Sequence, residues 1–169
     1  ALAGITELVK LERDWVPHEE GTSLYIRPFM IGTDPALGVH SSHHVQYIVI
    51  VCPVGAYYPE GLAPVKIYVE SEDVRAVKGG TGMAKTGGNV MFKVNGKILT
   101  PDLNGSVLDG ITRRSCIQLL KDWGYEVEER RISYEELFQA AEDGTLEEAW
   151  GTGTAAVVSP IGELAMEGK

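Results

Sequence analysis

Asn95-Gly96, set between Val90 to Val94 and Lys97 to Thr100, constrains the fold of this chain more than any other stretch. The tightest hairpin turn needs positive φ at both central residues, which Asn and Gly tolerate, and its twist matches that of the strands it joins. An antiparallel pair is therefore expected across residues 90–100. Leu24 to Met30 alternates as a strand. The apolar run Val45 to Val54 reads as a fully buried strand, and Val65 to Val69 as one with a single wet face. Tyr125 to Ile132 reads as a charged edge strand, and Ala149-Trp150 and Ala155 to Ser159 as short strands bracketing Gly151-Thr152-Gly153-Thr154.

Helical spacing supplies the other elements. Ile5, Leu8, Val9 and Leu11 share one face before Pro17 breaks the pattern. Ile111 to Trp123 carries apolar residues at helical intervals and closes at Gly124. Ser133 with Glu136 forms a capping box that opens a helix through Glu142, stopped at Gly144. The expected class is α+β, with a mixed, mostly antiparallel sheet flanked by helices.

Length and charge narrow the partners. A chain of 169 residues makes one domain or part of a larger one. Its net charge of −9 argues against nucleic acid, whose phosphates need clustered Lys and Arg. The longest apolar run, Tyr47 to Val54, is too short for a bilayer, so no membrane partner is expected. Cys52 and Cys116 sit within apolar patterns and read as small buried hydrophobes in a reducing compartment, with the cytoplasm as the expected location.

The richest chemical signal is Gly79-Gly80-Thr81-Gly82-Met83-Ala84-Lys85-Thr86-Gly87-Gly88-Asn89, a lysine among glycines that let backbone crowd a ligand. One chemistry is phosphate cradling by G-x-x-x-x-G-K-[ST]; Ala84 replaces its last glycine, and Gly87-Gly88-Asn89 followed by a strand cannot start the helix it requires. The other is a lysine nucleophile that bonds a carbonyl as a Schiff base, beside small residues that admit a flat ring. A solvated lysine on a surface loop is the plain alternative.

Other candidates surround it. Gly110-Ile111-Thr112 at a helix start offers free N–H groups to an anion. Gly151-Thr152-Gly153-Thr154 offers two glycines for close approach and two hydroxyls. Tyr25 and Arg27 share a strand face by period two and can meet one carboxylate. His40, His43 and His44 invite a metal, but their spacing suits neither helix nor strand, and no acidic or cysteine partner is close in sequence, so no metal is expected.

Taken in order, Leu24-Tyr25-Ile26-Arg27-Pro28, Val54-Gly55-Ala56-Tyr57-Tyr58, Lys78 to Asn89, Leu103 to Arg113 and Gly151 to Ala155 resemble the branched-chain amino acid aminotransferases, enzymes of pyridoxal 5′-phosphate with fold type IV. The resemblance spans nearly the whole chain. It implies the large C-terminal domain of that fold over residues 24–169, with residues 1–23 as a helix and interdomain connector. It implies that Lys85 bonds the cofactor and moves the proton, and that Gly110, Ile111, Thr112, Gly153 and Thr154 hold its phosphate. Tyr25, Arg27, Tyr57, Thr154 and Ala155 would shape the substrate pocket, with Leu37 and Val39 reaching into a partner subunit's pocket in a homodimer. The implied substrates are amino acids and 2-oxo acids: leucine, isoleucine or valine exchanging with 2-oxoglutarate.

Two departures accompany the resemblance. By that resemblance the small N-terminal domain of the family, with its phosphate-binding arginine, is expected to be absent. After Asn89 the family continues through a tyrosine, a helix, a strand and a Glu-Val-Gly-x-Met-Asn segment before resuming near Val90, so the fold is expected to be incomplete through an internal deletion at 89/90. The lost glutamate pairs with the pyridine nitrogen in the family. Impaired activity, or a catalytically inactive decoy subunit, is the expectation that follows.

Overall fold

The computed structural model describes residues 1–38, 40–55, 63–70, 72, 89–154 and 157–166. It divides into two compact units, Ala1–Ala56 and Tyr57–Lys169.

In the first unit, helix α1 (Leu2–Leu11) runs into a short 3₁₀ turn at Arg13–Trp15, followed by strands β1 (Ser23–Gly32) and β2 (Val45–Val54). The two strands pair antiparallel along their whole length, from Ser23 opposite Val54 to Gly32 opposite Val45. The Tyr47 hydroxyl donates to the Ala1 carbonyl at 3.5 Å, and Gly4 lies over the same ring, so α1 rests on β2. The expectation of a fully buried strand at 45–54 is corrected here. No residue of β2 is buried, and Ile50 is half exposed. Among the described residues the strand pairs with β1 alone, so its apolar run lies on a two-stranded ribbon. Cys52 is exposed for the same reason, and Cys116 is only partly buried; both are free thiols.

The second unit is a six-stranded mixed sheet in the order β3-β8-β7-β4-β5-β6, built from β3 (Val65–Tyr68), β4 (Asn89–Val94), β5 (Lys97–Thr100), β6 (Val127–Glu129), β7 (Leu146–Gly153) and β8 (Val157–Ala165). Helices α2 (Ile111–Asp122) and α3 (Tyr134–Glu142) accompany it. The β4-β5 hairpin turns on Asn95 at φ 49° and Gly96 at φ 75°, the conformation its sequence demands. Its tip is pinned, since Gly96 N–H donates to Glu147 at 2.6 Å. Ser133 caps α3 by accepting from Glu136 N–H at 3.2 Å.

Strand β4 holds the core. It pairs with β5 on one side and β7 on the other, and Met91 and Phe92, on opposite faces, are both buried. Met91 packs with Ile98 and Ile117, joined by Cys116, Leu120, Val127 and Trp150, which seats α2 on this face. The short strands expected around residues 151–154 are instead parts of longer ones: β7 runs through Gly151, Thr152 and Gly153. Gly151 lies between the carbonyls of Asn89 and Ser159, where ladder pairing on both sides overrides glycine's preference for a turn.

Candidate active site

The N-terminus of α2 meets the end of β7. Gly110 is the N-cap, extended at φ −68° and ψ 137°, with no side chain capping the helix. The first amides of a helix lack internal partners, and the dipole adds positive charge there. The Thr112 hydroxyl donates to the Gly153 carbonyl at 3.3 Å, so two segments 41 residues apart in sequence share one corner. Ile111 and Thr154 are exposed beside it. A Cβ on Gly110 would stand 2.9 Å from Asn89 Nδ2, so the carboxamide of the first β4 residue occupies the room a side chain would take.

Thr152 lies opposite Asn89 in the ladder, on the face that Met91 and Trp150 present to α2. It is 2 % exposed, and its Oγ1 has no hydrogen-bond partner among the described residues. A buried hydroxyl left unpaired costs about 1–3 kcal/mol, so Oγ1 is a polar group with hydrogen-bonding capacity to spare among the described residues. The sequence offered Thr152 as one of two hydroxyls; its burial came from tertiary packing.

Arg113 anchors the helix from behind. Its guanidinium is buried, donating to the Pro101 carbonyl at 2.8 Å and to Glu129 at 2.9 Å. Sequence reading missed this residue because its acidic partner lies sixteen positions away.

In the first unit, the expected Tyr25–Arg27 pair forms. Arg27 Nη2 donates to the Tyr25 hydroxyl at 2.7 Å, with its guanidinium 5.2 Å from the ring centre. Leu37, on the β1-β2 loop, is fully exposed. An acidic partner comes from farther along the chain: the loop brings His44 back to Asp34, whose carboxylate meets His44 Nδ1 at 2.8 Å, while His43 reaches it only through its backbone N–H. Among the described residues, no group of three or more His, Cys, Asp and Glu side chains is placed to hold a metal. Lys85, Tyr57, Val39 and Ala155 lie outside the described residues. Asn89, directly after the lysine loop, opens a strand, which fits poorly with a phosphate loop leading into a helix.

Residues 85–164, which contain the α2, β4 and β7 corner, match the family Amino-transferase class IV. Over this stretch the chain is similar to class IV aminotransferases. The aminotransferase relatives extend the match over the rest of the chain. It is 52 % identical over 200 residues to branched-chain-amino-acid aminotransferase 2 of Bacillus subtilis, covering 96 % of this chain and 55 % of that protein. It is 47 % identical over 204 residues to a probable branched-chain-amino-acid aminotransferase of Staphylococcus aureus, covering 98 % of this chain and 57 % of that one. The chain thus spans little more than half the length of these relatives.

Solved aminotransferases share the fold. The branched-chain amino acid aminotransferase of Escherichia coli aligns at a TM-score of 0.66 and 25 % identity, over 94 % of this chain and 63 % of that one. The enzyme of Thermoproteus uzoniensis with norvaline aligns at 0.67 and 25 %, over 83 % and 57 %. The α+β sheet and helices of the structure agree with that fold.

Proposed function

We propose that this chain is the large-domain part of a branched-chain aminotransferase, exchanging the amino group of leucine, isoleucine or valine with 2-oxoglutarate by means of pyridoxal 5′-phosphate. The observation that carries the reading is the uncapped α2 N-terminus fastened to β7 by Thr112 and Gly153. A phosphate ester fits it: the free amides of Ile111 and Thr112 and the exposed Thr154 supply donors, Gly110 and Gly153 add no bulk, and the orphaned Thr152 hydroxyl lies on the adjoining strand face.

Pyridoxal phosphate supplies a conjugated ring that accepts the electrons left when the substrate's Cα–H bond breaks. In this reading Lys85 would hold the cofactor through its amine and would serve as base and acid for the substrate's Cα proton. Arg27, held by Tyr25, would receive the substrate carboxylate, and the resemblance gives Tyr57, Thr154 and Ala155 substrate-binding roles as well. Leu37 and Val39 reach the pocket of a second copy, making the working form a homodimer in the cytoplasm. Among the described residues no helix is long and apolar enough to cross a membrane.

The alignments bear on how well this chain works. They run over 200 and 204 residues, more than the 169 it contains, which supports the reading that the relatives carry residues it lacks. We place the gap after Asn89, where the resemblance to the family breaks. A chain without that segment loses ring contacts and turns over slowly. The same gap favours a second reading, a non-catalytic subunit that still joins a dimer.

The test is borohydride reduction of the protein mixed with pyridoxal phosphate, followed by peptide mass analysis. Cofactor retained on the Lys85 peptide, and lost in Lys85→Ala, is expected; label scattered over surface lysines overturns the reading. Leucine turnover with 2-oxoglutarate then separates a slow enzyme from an inactive subunit.

A further inference from the structure

Among the described residues, Arg113 in the first turn of α2 is the largest side chain that the fold buries completely. Its Nη2 donates to the Pro101 carbonyl at 2.8 Å and to Glu129 Oε2 at 2.9 Å, while Nε has no partner among the described residues. Taking a charge out of water is costly, and a buried ion pair seldom holds a helix better than an apolar side chain of similar volume. Position adds to that cost. The positive end of a helix dipole favours carboxylates and disfavours cations, yet the first turn of α2 contains no acidic residue and carries Arg113 and then Arg114.

The carboxylates around this turn do not cancel its charge. Glu129 Oε1 lies 4.0 Å from Lys121 while Oε2 meets Arg113, and the Glu129 side chain is 40 % exposed, so one hydrated carboxylate answers two cations. Asp109, just outside the helix, is 3.6 Å from Arg114. Three cations therefore stand against two carboxylates, and the buried one, Arg113, has the field that water and salt screen least. Its Cβ lies 3.9 Å from the place a side chain on Gly110 would take, beside the helix N-cap. The strand face that α2 covers also carries Thr152, whose buried Oγ1 has no described partner. We infer that Arg113 is a positioning residue kept for its charge: buried behind the first turn of α2, its guanidinium holds that helix end positive, so that the free amides of Ile111 and Thr112 retain a phosphate group. This deepens, and rests on, the phosphate corner of the function proposed above. Arg113 acts through the helix and needs no contact with the phosphate, and Glu129 moderates its charge.

The experiment is calorimetric binding of inorganic phosphate, pyridoxal 5′-phosphate and pyridoxal to the whole chain, with Arg113→Met, Arg113→Lys and Glu129→Gln beside the wild type. Arg113→Met fills the volume without the charge. It is expected to bind inorganic phosphate and pyridoxal phosphate about tenfold more weakly, and pyridoxal, which has no phosphate, as the wild type does. Arg113→Lys keeps the charge and is expected to stay within about threefold of the wild type. Glu129→Gln removes the negative charge but leaves an acceptor for Arg113, so phosphate binding is expected to tighten by about threefold, the opposite of what loss of a purely structural anchor would do. Equal phosphate affinity in Arg113→Met and the wild type overturns the inference, as does a loss that pyridoxal shares. Should Arg113→Met fail to fold, Glu129→Gln decides: tighter phosphate binding supports the role of charge, and unchanged or weaker binding sinks it. A wild type that takes inorganic phosphate but retains no cofactor on Lys85 removes the reading above and leaves this comparison standing. A wild type that takes no phosphate removes both.

Discussion

The Thr112 hydroxyl donates to the Gly153 carbonyl across 3.3 Å, and this bond joins the first turn of α2 to the last residue of β7. Thr112→Val keeps the shape and deletes the donor. Such a bond is worth about 0.5–1.5 kcal/mol, so thermal stability should fall slightly. Affinity for pyridoxal phosphate should fall further, by about tenfold, or about 1.4 kcal/mol. Equilibrium binding followed by cofactor fluorescence checks it, and equal affinity would count against a phosphate at this corner.

Gly110→Ala places a methyl group 2.9 Å from Asn89 Nδ2. The φ of Gly110 is ordinary, so the backbone tolerates alanine, and loss of a glycine cap costs only a few tenths of a kcal/mol. The carboxamide of Asn89, the end of a flexible side chain, must move. Near-wild-type melting with weakened cofactor binding is expected from calorimetry.

Arg113 buries its guanidinium against Pro101 and Glu129, with Nε unpartnered among the described residues. Arg113→Ala removes both bonds and leaves a void, a loss of about 3 kcal/mol. Arg113→Met refills the space without a charge to desolvate and should lose less. Urea denaturation of the two variants measures the difference; identical midpoints would show that the volume is unimportant.

Acid should weaken the packing of α3. Arg130 grips Glu136 with both terminal nitrogens, and the guanidinium holds the Glu136 carboxyl below the usual range; Glu128, beside Lys97 and Arg130, is lowered likewise. A carboxylate whose folded pKa is depressed adds stability above its unfolded value, about 4.3 for Glu, and loses it as pH falls through the folded value. The melting temperature should therefore drop as pH is lowered from about 5 toward about 3. In Glu136→Gln the starting value should be lower and the drop smaller.

What was legible in the sequence followed short-range rules. Asn95-Gly96 fixed its hairpin because few residues tolerate two successive positive φ values. Ser133 and Glu136 fixed the start of α3 because an N-cap needs only its own turn. The apolar run of β2 misled, since a run of Val and Ile cannot reveal whether a second layer will cover it. Gly151 and Gly153 suggested a turn, yet β4 and β8 claimed Gly151 as strand by pairing on both sides, and β8 claimed Gly153.

The candidate site divides in the same way. The Gly110-Ile111-Thr112 start, the threonine-glycine repeat and the Tyr25–Arg27 face were all visible as types and spacings, and the order of these motifs carried the resemblance to the aminotransferases. Lys85, the residue that gives the proposed chemistry its centre, lies outside the described residues, and its role rests on sequence alone. Tertiary structure decided what distance in sequence conceals: that Thr112 meets Gly153, that Thr152 is buried without a described partner, that Arg113 finds Glu129 and that Asp34 closes on His43 and His44. A backbone turn is set by neighbours a few residues apart. A hydrogen bond between segments far apart exists only once the sheet has paired and the helix has been seated on its core.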